Sequence, residues 1–196
     1  MTRRLLLALL LVAATATHAQ KKLTKNKAAI AESVENHKSD LIKISDDIWA
    51  NAEIAFEEYE SSKSLADYAE ANGFTVERGV ADMETAFVAT YGSGKPVIGI
   101  LGEFDALPGI SQKAMPTKEP LEDGAGGHGC GHNMFGTASL GAAIAIKEMM
   151  EAGKIKGTVK FFGTPSEEKY FGKIWMVRDG LWDDVDVNIS WHPSAK

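Results

Sequence analysis

Five short runs with strand character, spaced by stretches of helical periodicity, set the frame into which this chain must fold. They are Phe74–Glu77, Thr85–Tyr91, Val97–Leu101, Thr158–Phe162 within Gly157–Gly163, and Val185–Ser190. Ahead of them, Ile30, Val34, Leu41, Ile44 and Ile48 recur on one stripe, with His37 among them. That spacing predicts a single amphipathic helix from about Asn26 to Ala50 and makes His37 a packed or partly exposed helix residue rather than a ligand. Ser61 or Ser62 can cap a second helix, with Leu65, Tyr68 and Ala69 inward and Asn72-Gly73 as its stop. A third helix, from about Met134 to Ala152, carries Ala138, Gly141, Ala142 and Ala145, small enough to lie close to a sheet. A short one over Lys173–Asp179 ends at Gly180. Gly92-Ser93-Gly94 reads as a hairpin turn between the second and third strands. Strands alternating with helices indicate an α/β fold, a sheet with helices packed on it.

In such sheets, active groups collect in the loops at strand ends, and the residues with chemistry to offer fall there. Asp105 follows the third strand, Glu167-Glu168 the fourth, and His192 the last. Ala106–Gly127, rich in Pro and Gly, cannot be a regular element, and long ordered loops are usually functional. It leads into Gly127-His128-Gly129-Cys130-Gly131-His132-Asn133, which packs two imidazoles and the only thiol into five positions at a helix start. Thiolate and imidazole suit divalent transition metals. In a glycine turn, Cys130 and His132 can reach one metal or a neighbouring pair, with His128 a third ligand or a hydrogen-bonding support. Of two consecutive carboxylates, one can bind the metal while the other stays free as proton acceptor.

Composition narrows the class. The chain has 196 residues, enough for one domain with a core, and its 44% hydrophobic and 24% charged residues argue against disorder. Arg3 and Arg4, the apolar run Leu5–Ala14 and the small residues around Ala19 form a secretory signal pattern with a cut after Ala19. The expectation is therefore a signal peptide over residues 1–19, a mature chain over 20–196 that is periplasmic or secreted, and no membrane attachment once the signal is removed. Removing residues 1–19 leaves 19 Lys and Arg against 27 Asp and Glu, a net charge of −8, which speaks against nucleic acid. A lone cysteine in an oxidising compartment forms no internal disulfide, so it is expected to be buried or liganded.

From about Ile48 onward, the chain resembles the M20 metallopeptidase family, in its amidohydrolase branch. The resemblance rests on Gly102-Glu103-Phe104-Asp105-Ala106-Leu107, on the Gly127–Asn133 segment, on Glu167-Glu168 and on Trp191-His192-Pro193. Gly94–Ile98 and Asp183–Asp186 support it. It implies a zinc-peptidase-like catalytic domain, a mixed sheet with helices on both faces. It further implies that Cys130, His132, Glu168 and His192 are ligands to one or two divalent ions, Mn2+ or Zn2+. Glu167 would be the general base and Asp105 an acid that orients the site, with Glu103 a supporting residue at most.

The implied activity is hydrolysis of the amide in N-acyl or N-aroyl amino acids, such as p-aminobenzoyl-glutamate. A dipeptidase or aminoacylase is the alternative within the family, and a non-catalytic fragment the alternative outside it. Lys169-Tyr170 stands where the family often has Gly-Gly. Family members run about twice as far, with a lid and dimerisation domain. The chain thus resembles the N-terminal part of such an enzyme, with dimerisation and a homologous second subunit implied for the whole.

Overall fold

The computed structural model describes residues 23–194, so the expected signal peptide lies outside the described residues. Its sheet is built from β1 (Thr75–Arg78), β2 (Phe87–Ser93), β3 (Val97–Glu103), β4 (Gly157–Thr164) and β5 (Val187–Ile189), in the order β1-β2-β4-β3-β5. The central place of β4 follows from its side chains. Val159 and Phe161 are fully buried towards one face and Phe162 towards the other. A strand apolar on both sides needs cover on both faces and is at home in the middle of a sheet.

β4 runs antiparallel to β2, with Phe87 opposite Gly163, and parallel to β3, with Val97 opposite Thr158. The hairpin expected at Gly92-Ser93-Gly94 is therefore not formed, because β4 occupies the space between β2 and β3. β3 also pairs in parallel with β5. Asp186 fixes that edge by accepting from the Val97 N–H at 2.7 Å and from Lys95 at 2.9 Å. Three parallel strands thus end at the same edge, and the loops after them share one neighbourhood.

The expected N-terminal helix is two helices, α1 (Lys25–Asn36) and α2 (Lys38–Asn51). The break falls at His37, whose ring is held by the Tyr68 hydroxyl at 2.7 Å and the Glu148 carboxylate at 2.9 Å. α3 (Tyr59–Ala71) begins before the expected serine cap, and Ser61 and Ser62 are buried inside its first turn. The capping is done from upstream: the Glu53 carboxylate accepts from the Glu60 and Ser61 N–H groups at 2.9 and 2.8 Å.

α4 (His132–Glu151) does lie close to the sheet, but not through all the residues expected. Ala138 and Ala142 face solvent, one turn apart on its outer side. Close approach comes at Gly136, where a Cβ would sit 2.6 Å from the Glu103 carbonyl, and at Gly141 against Leu41. Helices cover both faces. Ile44, Ile48, Leu65, Leu140 and Ile144 pack one side, while Met176 of α5 (Gly172–Arg178) packs the other with Val88, Leu101 and Phe162. No helix among the described residues is long and apolar enough to cross a membrane.

Candidate metal centre

The geometry begins with the loop after β3. Leu107 and Gly127 exchange both backbone hydrogen bonds, at 3.0 and 2.9 Å, closing the long excursion at its base. A Cβ at Gly127 would meet the Ile110 carbonyl at 2.3 Å, so only glycine lets the two sides of the base approach. The closure brings Asp105 beside the residues that enter α4. Gly131 then turns through φ +79, a backbone open to glycine, and sets Cys130 before the helix and His132 in its first turn.

His132 is fully buried at the centre of the cluster. Its Nδ1–H donates to Asp105 Oδ1 at 3.0 Å, which leaves Nε2 facing 3.1 Å to Glu103 Oε2, 3.4 Å to His192 Nε2 and 3.8 Å to Glu168 Oε1. Cys130 Sγ lies 3.3 Å from His192 Nε2. The other nitrogen of His192 donates to its neighbour, the Pro193 carbonyl, at 2.6 Å. Asp105 accepts at both oxygens, since Oδ2 takes the Glu168 N–H at 2.9 Å. It therefore orients an imidazole and the glutamate loop together.

Among the described residues, two sets of donors each bring their atoms within 4.8 Å of one another: Cys130, His132 and His192, and Glu103, His132 and Glu167. Glu168 Oε1 is buried and has no hydrogen-bond partner among the described residues. An orphaned buried carboxylate oxygen is costly to leave unmatched. Its position beside thiol and imidazole fits a divalent cation, as does the mixed S, N and O donor set.

The electrostatics agree. Burial, then the neighbouring Glu168 and the charges of Glu167 and Glu103, push the Cys130 thiol up to about 12. Burial opposes protonation of His132, but the Asp105 hydrogen bond and the charges of Asp105, Glu103 and Glu168 outweigh it and hold its pKa above the usual histidine range. Acids crowded round a thiol and an imidazole make a site that favours positive charge.

Asp105, Cys130, His132, Glu167, Glu168 and His192 are thus gathered in one place. His128 is not. Its Nε2–H donates to the Ile48 carbonyl at 3.0 Å, burial lowers its pKa to about 4, and it lines a separate cavity of about 260 Å³ beside Trp49 and Ile110. Glu103 is nearer the centre than its sequence context implies, with its second oxygen held by Lys173 of α5. Tyr170, where the resemblance implies glycine, stacks on Phe56, ring centroids 5.4 Å apart and 5° from parallel.

A mixed sheet whose parallel strands end in loops carrying thiol, imidazole and carboxylate defines the class of metal-centred α/β hydrolase scaffolds. Residues 99–195 match the sequence model of peptidase family M20/M25/M40, and the chain belongs to this family. It is 47% identical over 169 residues to a subunit of the p-aminobenzoyl-glutamate hydrolase of Escherichia coli strain K12, covering 85% of this chain and 35% of that protein. It is 28% identical over 194 residues to the mouse Xaa-Arg dipeptidase, covering 93% of this chain and 41% of that enzyme. Among solved structures, it is similar to the YXEP protein of Bacillus subtilis, described as a dinuclear metal binding peptidase of the M20 family. That likeness has a TM-score of 0.70 and 26% identity, over 82% of this chain and 44% of the other. The chain spans less than half the length of each of these relatives.

Proposed function

We propose that this chain supplies the metal-binding part of an amidohydrolase that cleaves the amide of N-acyl or N-aroyl amino acids, p-aminobenzoyl-glutamate among them. The observation that carries the reading is the gathering round His132 of Cys130 and His192 in one donor set and of Glu103 and Glu167 in another, with Glu168 Oε1 3.8 Å from the same ring. In this reading Cys130, His132, Glu168 and His192 would hold one or two divalent cations. Such a cation, when bound, supplies Lewis-acid polarisation of the carbonyl and lowers the pKa of water. Thiolate and imidazole favour Zn2+ while the carboxylates tolerate Mn2+, and elemental analysis of the purified chain decides between them.

The remaining roles belong to side chains of the chain itself. Glu167 takes the proton of the attacking water and returns it to the leaving amine. Asp105 holds the His132 ring by Nδ1, so that Nε2 faces inward, and steadies the Glu168 backbone through the same carboxylate. The substrate class is supported by the 47% identity to one subunit of a p-aminobenzoyl-glutamate hydrolase, and that relative's being a subunit also suggests a second polypeptide as partner. A dipeptide substrate is the second reading, favoured by the likeness to the Xaa-Arg dipeptidase across 93% of this chain.

The test is Glu167→Gln in a version extended to the length of the relatives, assayed on N-aroyl amino acids and on dipeptides. We expect kcat to fall by about 10²–10⁴ with metal content unchanged. Turnover near the parent's removes Glu167 from this role, and turnover on dipeptides alone replaces the aroyl substrate.

A further inference from the structure

The turn that delivers Glu167 is held by a buried acid outside the metal cluster. Glu58, at the start of α3, is fully buried. Its Oε1 accepts the Ser166 N–H at 2.9 Å and its Oε2 accepts the Thr85 hydroxyl at 3.0 Å. None of its hydrogen-bond partners is a cation, and burial holds its pKa above the usual carboxylate range. A buried carboxylate paired only with neutral donors is an expensive way to fill space, which points to a positional role.

Ser166 itself sits at φ +54, a left-handed backbone that a non-glycine residue keeps only when its surroundings impose it. One residue beyond Glu167, the Glu168 N–H is held by Asp105. The amides on either side of Glu167 are therefore each fixed by a carboxylate.

The segment carrying Glu58 is anchored to the other loop as well. The Glu53 carbonyl accepts from Ala106 N–H at 2.8 Å, and Ile54 pairs with Ala106. This segment is strained too, with Ala55 at φ +20 and Phe56 at φ +64. We propose that Glu58 is a positioning residue which, through the Ser166 amide, sets the Pro165–Glu168 turn so that Glu167 and Glu168 face His132. The proposal rests on the reading of that pair as base and ligand.

Glu58→Met keeps the bulk of the side chain and removes both acceptors. Glu58→Gln restores the acceptor, with Oε1 on the Ser166 N–H, while its amide donates to Thr85 Oγ1. Val159→Ala loses core packing five residues back along β4 and serves as the destabilised control. Two readouts are taken on the chain as it stands: amide hydrogen exchange and Zn2+ affinity by titration.

In Glu58→Met, exchange at Ser166 and Glu168 should quicken, and Zn2+ affinity weaken, by about tenfold or more, the effect of one lost buried hydrogen bond. Glu58→Gln should return both to near the parent values, and Val159→Ala should move neither. Parent-like exchange in Glu58→Met, or equal changes in Val159→Ala, overturns the proposal. Failure of the parent chain to bind Zn2+ would instead strike the metal-centre reading, while hydrogen exchange still judges Glu58.

Discussion

Cys130, as a free side chain, is a neutral thiol at physiological pH, because burial and then the neighbouring glutamates push it up to about 12. Cations bind the thiolate, so metal uptake must displace that proton, and His132, with its raised pKa, must also release one from Nε2. The sign follows: affinity rises with pH as both protons become easier to remove. Calorimetry in buffers of different ionisation enthalpy should record proton release on Zn2+ binding. Cys130→Ser should abolish the thiol's share and weaken binding at least about a hundredfold, since losing even an outer partner of a ligand costs about 10–100-fold. Residues of this kind are legible in a sequence because thiol and imidazole between glycines are rare. The parts played by Glu58, Glu103 and Lys173 were not. Glu58 lies in an acid-rich stretch with Glu57 and Glu60, indistinguishable there from a solvated surface, and only its contacts with Thr85 and Ser166 set it apart.

At Gly136, two effects of opposite sign compete. Alanine favours the helix over glycine by about 1 kcal/mol, but here a Cβ would lie 2.6 Å from the Glu103 carbonyl and 3.2 Å from Leu65 Cδ1. Overpacking against backbone costs about 1–3 kcal/mol. Gly136→Ala should therefore lower the urea midpoint, and an unchanged or raised midpoint would show that α4 can move off β3. The sequence placed all five strands to within a few residues, because their apolar runs are bounded by turn residues. Its errors at the level of elements share one cause. The break at His37, the cap that Glu53 supplies from outside the helix and the solvent-facing Ala138 and Ala142 are set by contacts beyond the helix's own repeat, which periodicity does not reveal.

The α/β class was readable because alternating strands and helices admit few layer arrangements, whereas the order of strands was not, since local spacing says nothing of insertion. The centre draws on loops after β3, β4 and β5 and on the start of α4, so a bound ion ties together segments far apart in the chain. A ligand at about 100 times its Kd stabilises the native state by about 2.7 kcal/mol, which for a chain of this size raises Tm by about 5–10 °C. Zn2+ should give such a rise, EDTA should reverse it, and Cys130→Ser should lose most of it. An unchanged Tm with saturating metal would mean that the cluster binds no ion in the folded state. The place of β4 between two strands that precede it has a consequence for synthesis. A nascent chain on the ribosome makes β2 and β3 more than fifty residues before β4 begins. Until then, the edges that will face β4 lack their native neighbour, and the short link between them invites the direct pairing that the finished sheet forbids. Biogenesis must keep these two strands apart, or separate them again, before the middle of the sheet can be laid in.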